Sequence, residues 1–209
     1  MHIFAALTHL KQICNHPASY LKVPENYTQH LSGKWNLFKE LLSEALASEQ
    51  KVVVFTQYLA MLDIMKSYLD ALEIGYAMIR GDTRDRQEQM KRFQKDDDCR
   101  VFLGSLQAVG LGVDLTAASV VIHYDRWWNP ARENQATDRV HRIGQKRGVQ
   151  VFKLVTVGTI EERIDAIIRR KGKLADEILA CDDENLVKAL TREELMELLQ
   201  YVTKEEPED

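Results

Sequence analysis

The sequence predicts an α/β fold: a parallel sheet with helices on both faces and a helical C-terminal extension. Two observations carry this. Short β-branched runs alternate with amphipathic stretches, the pattern of consecutive βαβ units. Those runs are also apolar at nearly every position instead of every second one, as strands covered on both sides must be.

Taken in order, residues 1–30 read as a lead-in segment. Phe4, Leu7, Leu10 and Ile13 repeat at helical spacing, and Asn15, His16 and Pro17 should stop the helix. The expected strands are Lys51 to Phe55, Gly75 to Ile79, Arg100 to Leu103, Ser119 to Tyr124 and Val149 to Val155. Between them, Trp35, Phe38, Leu42, Ala45 and Leu46 share one helical face, and Leu62, Met65, Leu69 and Leu72 share another; both sets are expected in the core. Thr159 with Glu162 and Thr191 with Glu194 have the spacing of capping boxes, so each pair should open a helix. The first of these helices repeats Ile160, Ile164, Ile167 and Ile168; the second repeats Leu195, Leu198, Leu199 and Val202, a stripe too apolar to remain in water, and should pack on something. Residues 31–175 thus form one lobe and 176–209 an acidic helical tail.

At 209 residues and 45 % hydrophobic, the chain can bury one core with a small appendage. The three cysteines, Cys14, Cys99 and Cys181, form no CxxC pair, so neither a disulfide framework nor a zinc site is read, and Cys14 and His16 are assigned to packing. A reducing compartment is expected, the cytoplasm of a bacterium or archaeon or a eukaryotic nucleus. No apolar run approaches a membrane span, and no secretion signal is read.

The formal net charge of −4 conceals an uneven distribution. Residues 176–209 carry 12 acidic and 3 basic side chains, whereas the preceding 175 carry 20 acidic and 25 basic. Between Arg126 and Lys153 stand seven basic residues (Arg126, Arg132, Arg139, Arg142, Lys146, Arg147 and Lys153) against Glu133 and Asp138. A basic segment inside an acidic protein suits a polyanion, although a solvated charged face has the same composition.

Ligands of open parallel sheets lie where strands end, which directs attention to four loops. They read Thr56-Gln57, Arg80-Gly81-Asp82-Thr83, Gly104-Ser105-Leu106-Gln107 and Asp125-Arg126-Trp127-Trp128-Asn129-Pro130. Small and hydroxylated residues there offer donors to phosphate oxygens. Gly110 and Gly112 precede Asp114, where a backbone can approach a ligand and a carboxylate can accept from a ribose hydroxyl. In QATDRVHRIGQ, a helix begun at Pro130 would set Gln135, Asp138, Arg139 and Arg142 on one face. Two guanidiniums so placed repel unless an anion such as phosphate lies between them. The alternative is a surface helix on which Glu133 and Asp138 offset the arginines.

FTQYLAMLDIM, IRGDTRDRQEQMKRF, VFLGSLQAVGLGVDLTAASVVIHYDRWWNP and ENQATDRVHRIGQ resemble, in order, the motifs of the C-terminal helicase lobe of Swi/Snf family ATPases in helicase superfamily two. LKQICNHP resembles that family's joining segment after the first lobe, and WWNP and HRIGQ favour it over DEAD-box RNA helicases. The resemblance implies a RecA-like lobe. It also implies that Arg139 and Arg142 are arginine fingers for ATP on another lobe, with Gln135 and Asp138 positioning them. Gly112 and Asp114 would lie near the ribose, and Thr56, Gln57, Gly81, Ser105 and Trp128 along double-stranded DNA. Arg80-Gly81-Asp82-Thr83 departs from the family's commoner DGST, placing a carboxylate where a phosphate would approach.

No GxxxxGK[ST] occurs, since Gly33-Lys34 and Gly172-Lys173 lack the rest of the motif, and there is no strand-borne DEAH-like box. ATP with Mg2+ would therefore be held mainly by an N-terminal RecA-like lobe, and the chain alone is expected to be inactive. The expected partners are that lobe, duplex DNA and a protein bound through the C-terminal helix. The competing readings are a non-catalytic DNA- or protein-binding module and an RNA helicase lobe.

Overall fold

The computed structural model describes residues 2–105, 113–141, 148–171 and 190–199. Five strands form one sheet: β1 (Val52–Thr56), β2 (Gly75–Ile79), β3 (Cys99–Ser105), β4 (Val120–His123) and β5 (Gln150–Lys153). Their order is β2-β3-β1-β4-β5 and every pairing is parallel. Each expected strand is present: Gly75–Ile79 has the expected ends, and the other four are shifted by one or two residues.

The helices are α1 (His2–Asn15), α2 (Pro17–Leu21), α3 (Gly33–Ala47), α4 (Leu59–Ala71), α5 (Arg86–Lys95), α6 (Pro130–Thr137), α7 (Ile160–Lys171) and α8 (Arg192–Leu199), with a 3-10 turn over Pro24–Gln29. Among the described residues no helix is long and apolar enough to cross a membrane.

Strand periodicity divides the interior. Val52, Val54, Val101, Leu103, Val120 and Ile122 meet Trp35, Phe38 and Leu42 of α3 and Leu62, Met65 and Leu69 of α4. Val53, Phe55, Phe102 and Val121 point the other way, onto Phe93 of α5 and Ala136 of α6. Alternate side chains on opposite faces explain why β1, β3 and β4 carry consecutive apolar residues. At the edge, β2 approaches β3 so closely that a Cβ on Gly75 would lie 2.2 Å from the Asp98 carbonyl oxygen. Only glycine fits there.

A third cluster joins Leu7 of α1, Trp128, Ile160, Ile164 and Ile167 of α7, and Leu198 of α8. Within the helical repeat of α1, Leu10 and Ile13 are exposed at 38 % and 44 %, because the helix turns Phe4, Leu7, Lys11 and Cys14 inward. One expected core assignment needs correction. Leu72 is 51 % exposed, since α4 ends one residue before it. The C-terminal helix does pack, on α7, through Leu195 and Leu198, but Leu199 stays 48 % exposed; Val202 lies outside the described residues.

Both capping pairs open helices. Thr191 and Glu194 exchange reciprocal bonds, 2.9 Å to the Thr191 amide and 3.2 Å from the Glu194 amide. At α7 the pattern is displaced: the Thr159 hydroxyl accepts from the Glu161 amide at 3.2 Å, and Glu162 reaches the Gly158 amide at 2.9 Å. His16 caps α2 by accepting from the Ala18 amide at 3.1 Å, and its ring packs edge-on to Tyr27 and Trp35. Burial lowers its pKa to about 4.

Candidate nucleotide and nucleic-acid interface

The loops after β1 and β4 are tied together by Asp125, which is fully buried. Its carboxylate accepts from the Thr56 hydroxyl, from the Gln57 amide at 3.2 Å, and from the Gln57 side-chain nitrogen at 2.7 Å. Burial raises the pKa of this group, against the pull of the Lys11 charge and the Thr56 hydrogen bond. Gln57 also donates to the Arg126 carbonyl at 3.0 Å. Two adjacent loop tips are therefore joined by side-chain hydrogen bonds.

Arg126 and Lys153, counted in the basic segment, both pair with carboxylates, Arg126 inside the fold and Lys153 at its surface. The Arg126 guanidinium meets buried Glu133 on one side and Asp165 on the other, the latter at 2.9 Å. Lys153 lies 2.8 Å from the same Glu133, whose second oxygen accepts from the Trp127 amide at 2.9 Å. Although burial alone would raise the Glu133 pKa, the Arg126 charge and its other partners hold it below the usual carboxylate range. Glu133 is thus no surface counterweight to the arginines of the following turn; it joins β4, α6, β5 and α7.

The single helical face expected over Gln135 to Arg142 does not form as a continuous helix. Asn129 caps α6 with its side chain, accepting from the Ala131 amide at 2.9 Å, and α6 stops at Thr137, with Asp138 as its C-cap. The chain continues in tighter turns, in which the Arg139 amide bonds the Ala136 carbonyl at 3.2 Å and the Val140 amide bonds Thr137 at 2.9 Å. Gln135 and Asp138 are exposed, whereas Arg139 is half-buried and its Nε has no hydrogen-bond partner. Among the described residues no carboxylate pairs with Arg139. Arg142 and Gly112 lie outside the described residues.

Asp114 and Arg139 are brought together through the backbone, since the Leu115 amide donates to the Arg139 carbonyl at 3.1 Å. The exposed Asp114 side chain accepts from the Thr116 hydroxyl at 2.8 Å and the Thr116 amide at 3.1 Å, an Asx turn that orients the carboxylate. Gln94 of α5 steadies the segment by donating to the Asp114 carbonyl at 2.8 Å.

Several expected strand contacts are spent elsewhere. Trp128 is 6 % exposed and packs in the third cluster with the Lys11 ammonium 5.8 Å from its ring, so no face of the indole is open for stacking. Thr56 is fully buried and Ser105 is buried. Gln57 is half-buried and Gly81 exposed. The Gly81 loop is stapled by Arg86, which reaches the Gly81 carbonyl at 3.1 Å and the Thr83 carbonyl at 3.2 Å; Arg80 pairs with Asp63 of α4 at 2.6 Å. Arg80 thus has a structural task, while Asp82 is exposed on the loop.

Residues 33–144 match the family described as the helicase conserved C-terminal domain. A Sulfolobus solfataricus SWI2/SNF2 ATPase C-terminal domain superposes with a TM-score of 0.75 at 33 % identity, covering 96 % of this chain and 82 % of that one. The chain is a Swi2/Snf2-type C-terminal helicase lobe. The Sulfolobus ATPase core in complex with double-stranded DNA gives a TM-score of 0.78 at 36 % identity, over 96 % of this lobe and 42 % of that chain. YwqA of Bacillus subtilis, named as an ATP-dependent helicase/translocase, is 44 % identical over 202 residues, which is 94 % of this lobe. The lobe spans about a fifth of the length of that relative, 21 %. Its five parallel strands and flanking helices are the RecA-like architecture of these lobes.

Sequence reasoning missed Asp125, Glu133, Lys34 and Glu161 as organising residues. A carboxylate just after a buried strand, as at Asp125, is the one local signal that pointed to such a role.

Proposed function

We propose that this lobe is the second motor element of an ATP-dependent double-stranded DNA translocase or remodeller, acting with a separate phosphate-binding lobe. The observation that carries the reading is the contrast between two arginines. Arg126 is neutralised by Glu133 and Asp165, whereas Arg139, two residues beyond α6, is half-buried with no carboxylate partner among the described residues. A guanidinium kept unpaired and partly desolvated suits the charge that develops on a transferring phosphoryl group. Arg142 would be the second finger, with Gln135 and Asp138 steadying the turn. Asp114, held beside Arg139, would meet the ribose, with Gly112 leaving room for it.

ATP brings Mg2+ with it. Because the sequence contains no GxxxxGK[ST], the groups that hold ATP with its metal are assigned mainly to the other lobe. Duplex contact falls first to Gln57 and the Gly81 backbone, which stand at loop tips; Thr56, Ser105 and Trp128 would support those tips from inside. Closure of the lobes would deliver Arg139 to the γ-phosphate, and alternating grip on the DNA backbone would advance the motor.

The test joins this lobe to a phosphate-binding lobe and compares Arg139→Ala with the parent. ATP turnover should fall by about 10³-fold or more while duplex affinity changes by less than about threefold. Equal loss of both would overturn the finger assignment. The isolated lobe should show no DNA-stimulated hydrolysis, and stronger stimulation of the joined protein by RNA than by duplex DNA would favour the RNA-helicase reading.

A further inference from the structure

We propose that His123, at the end of β4, is a positioning residue that holds the last residue of α6 through the Thr137 hydroxyl and so sets where Arg139 is presented. The consequence for turnover rests on the reading of Arg139 as a finger; the placement of the turn does not.

The rest of β4 is apolar, Val120, Val121 and Ile122, and His123 is buried with it. Its backbone is fixed in the sheet: it stands opposite Phe55 of β1 and Lys153 of β5, and its carbonyl accepts from the Leu154 amide at 3.0 Å. The ring lies tilted against that of Phe55, with centroids 5.5 Å apart. An imidazole here carries a desolvation cost that another valine or isoleucine would not. Burial lowers its pKa to about 4, so at neutral pH the ring bears a single N–H. Among the described residues Nδ1 has no hydrogen-bond partner, whereas Nε2 meets the Thr137 hydroxyl at 2.9 Å. The one directional contact of the ring therefore runs from the sheet to the end of α6.

Thr137 is the node of the turn that follows. Its hydroxyl donates to the Glu133 carbonyl at 3.0 Å and so accepts from His123. Its own carbonyl accepts from the Val140 amide at 2.9 Å and the His141 amide at 3.0 Å, closing the turn in which Arg139 stands. The Arg139 backbone is committed on both sides, its amide to the Ala136 carbonyl at 3.2 Å and its carbonyl to the Leu115 amide at 3.1 Å, so a shift of Thr137 against the sheet carries Arg139 with it. Ala136 and Val140 bury the inner side of the turn, but apolar packing has no direction, whereas a hydrogen bond from a ring anchored in the sheet does. Direction matters for a catalytic group, since a displacement of about 1 Å can cost on the order of 10²-fold in rate.

The experiment reads the Arg139 Nε–H and Val140 amide resonances by NMR in the whole chain, and ATP turnover in the chain joined to a phosphate-binding lobe. His123→Phe keeps a ring against Phe55 and removes the donor; Thr137→Val keeps the shape and removes the acceptor. Each should shift both resonances and lower kcat about tenfold, with the KM for ATP and the duplex affinity changed by less than about threefold. His123→Gln, which retains a side-chain N–H donor, and Thr137→Ser should restore both readouts. The double variant His123→Phe with Thr137→Val should be no worse than the weaker single variant. Unmoved resonances in folded variants, losses that multiply in the double variant, or shifted resonances with turnover intact while Arg139→Ala abolishes it would overturn the proposal. Shifted resonances with turnover intact in every variant, Arg139→Ala included, uphold the placement of the turn and overturn the finger reading instead. Should His123→Phe fail to fold, Thr137→Val, at a half-buried side chain, carries the same comparison.

Discussion

Lys34 and Glu161 pair in the interior with side chains exposed by only 2 % and 0 %, tying the first turn of α3 to the first turn of α7 across 127 residues of sequence. Lys34 also donates to Asn15 at 3.1 Å and faces the Tyr124 ring at 5.6 Å, while Glu161 accepts from the Thr156 amide at 3.0 Å. Because each charge has further polar partners, the pair is a hub for α1, α3, β4 and α7.

Removing one partner strands the other charge in low dielectric. Lys34→Met or Glu161→Gln should cost about 3–5 kcal/mol in urea denaturation, and Lys34→Met with Glu161→Met should recover much of that loss. Additive losses in the double variant would show that packing, not charge pairing, sets the effect.

Arg126 and Arg139 should separate cleanly in stability. Arg126→Met leaves Glu133 and Asp165 without their shared cation and should lose roughly 3 kcal/mol or more, whereas Arg139→Met should stay within about 1 kcal/mol of the parent. Matched denaturation curves measure both, and a large loss at Arg139 would mean that its guanidinium serves the fold.

The three tryptophans, Trp35, Trp127 and Trp128, are exposed by only 4 %, 1 % and 6 %. Iodide should quench their emission poorly in the folded chain, and saturating duplex DNA should leave the spectrum unchanged. Quenching by DNA that disappears in Trp128→Phe would return that residue to the strand-contact surface.

His123 is buried at the end of β4, and its Nε2 lies 2.9 Å from the Thr137 hydroxyl. That hydroxyl spends its own proton on the Glu133 carbonyl at 3.0 Å, so the imidazole donates from Nε2. Burial lowers the ring's pKa from 6.5 to about 4. Between those values the unfolded chain binds the proton and the folded chain does not, so stability should fall as pH drops from about 6.5 towards 4 and be unaffected above. His123→Gln should show a shallower acid limb in denaturation series at pH ~7, ~5.5 and ~4.5, and an unchanged limb would assign the acid sensitivity to other groups, His16 among them.

The Swi2/Snf2 motifs were legible because they are local. Turn residues after apolar strands, a Pro-initiated helix after Asn129 and the Thr191-Glu194 box are read from neighbours a few residues apart, and each lies in its expected element. The roles of individual charges were not legible. Arg126 and Arg139 look alike in a count of basic residues, and only the approach of Glu133 and Asp165 makes Arg126 structural, whereas Arg139 has no carboxylate partner among the described residues.

The sequence by itself determined the parallel sheet, its five strands and the membership of the lobe, since hydrophobic periodicity and turn chemistry act over short range. Tertiary structure alone decided which polar groups are withdrawn from the surface. Asp125 with Thr56 and Gln57, Lys34 with Glu161, and Lys11 beside Trp128 meet across 69, 127 and 117 residues of chain. Such encounters arise because a buried charge must find a partner wherever the fold brings one within reach, and no local pattern records that distance.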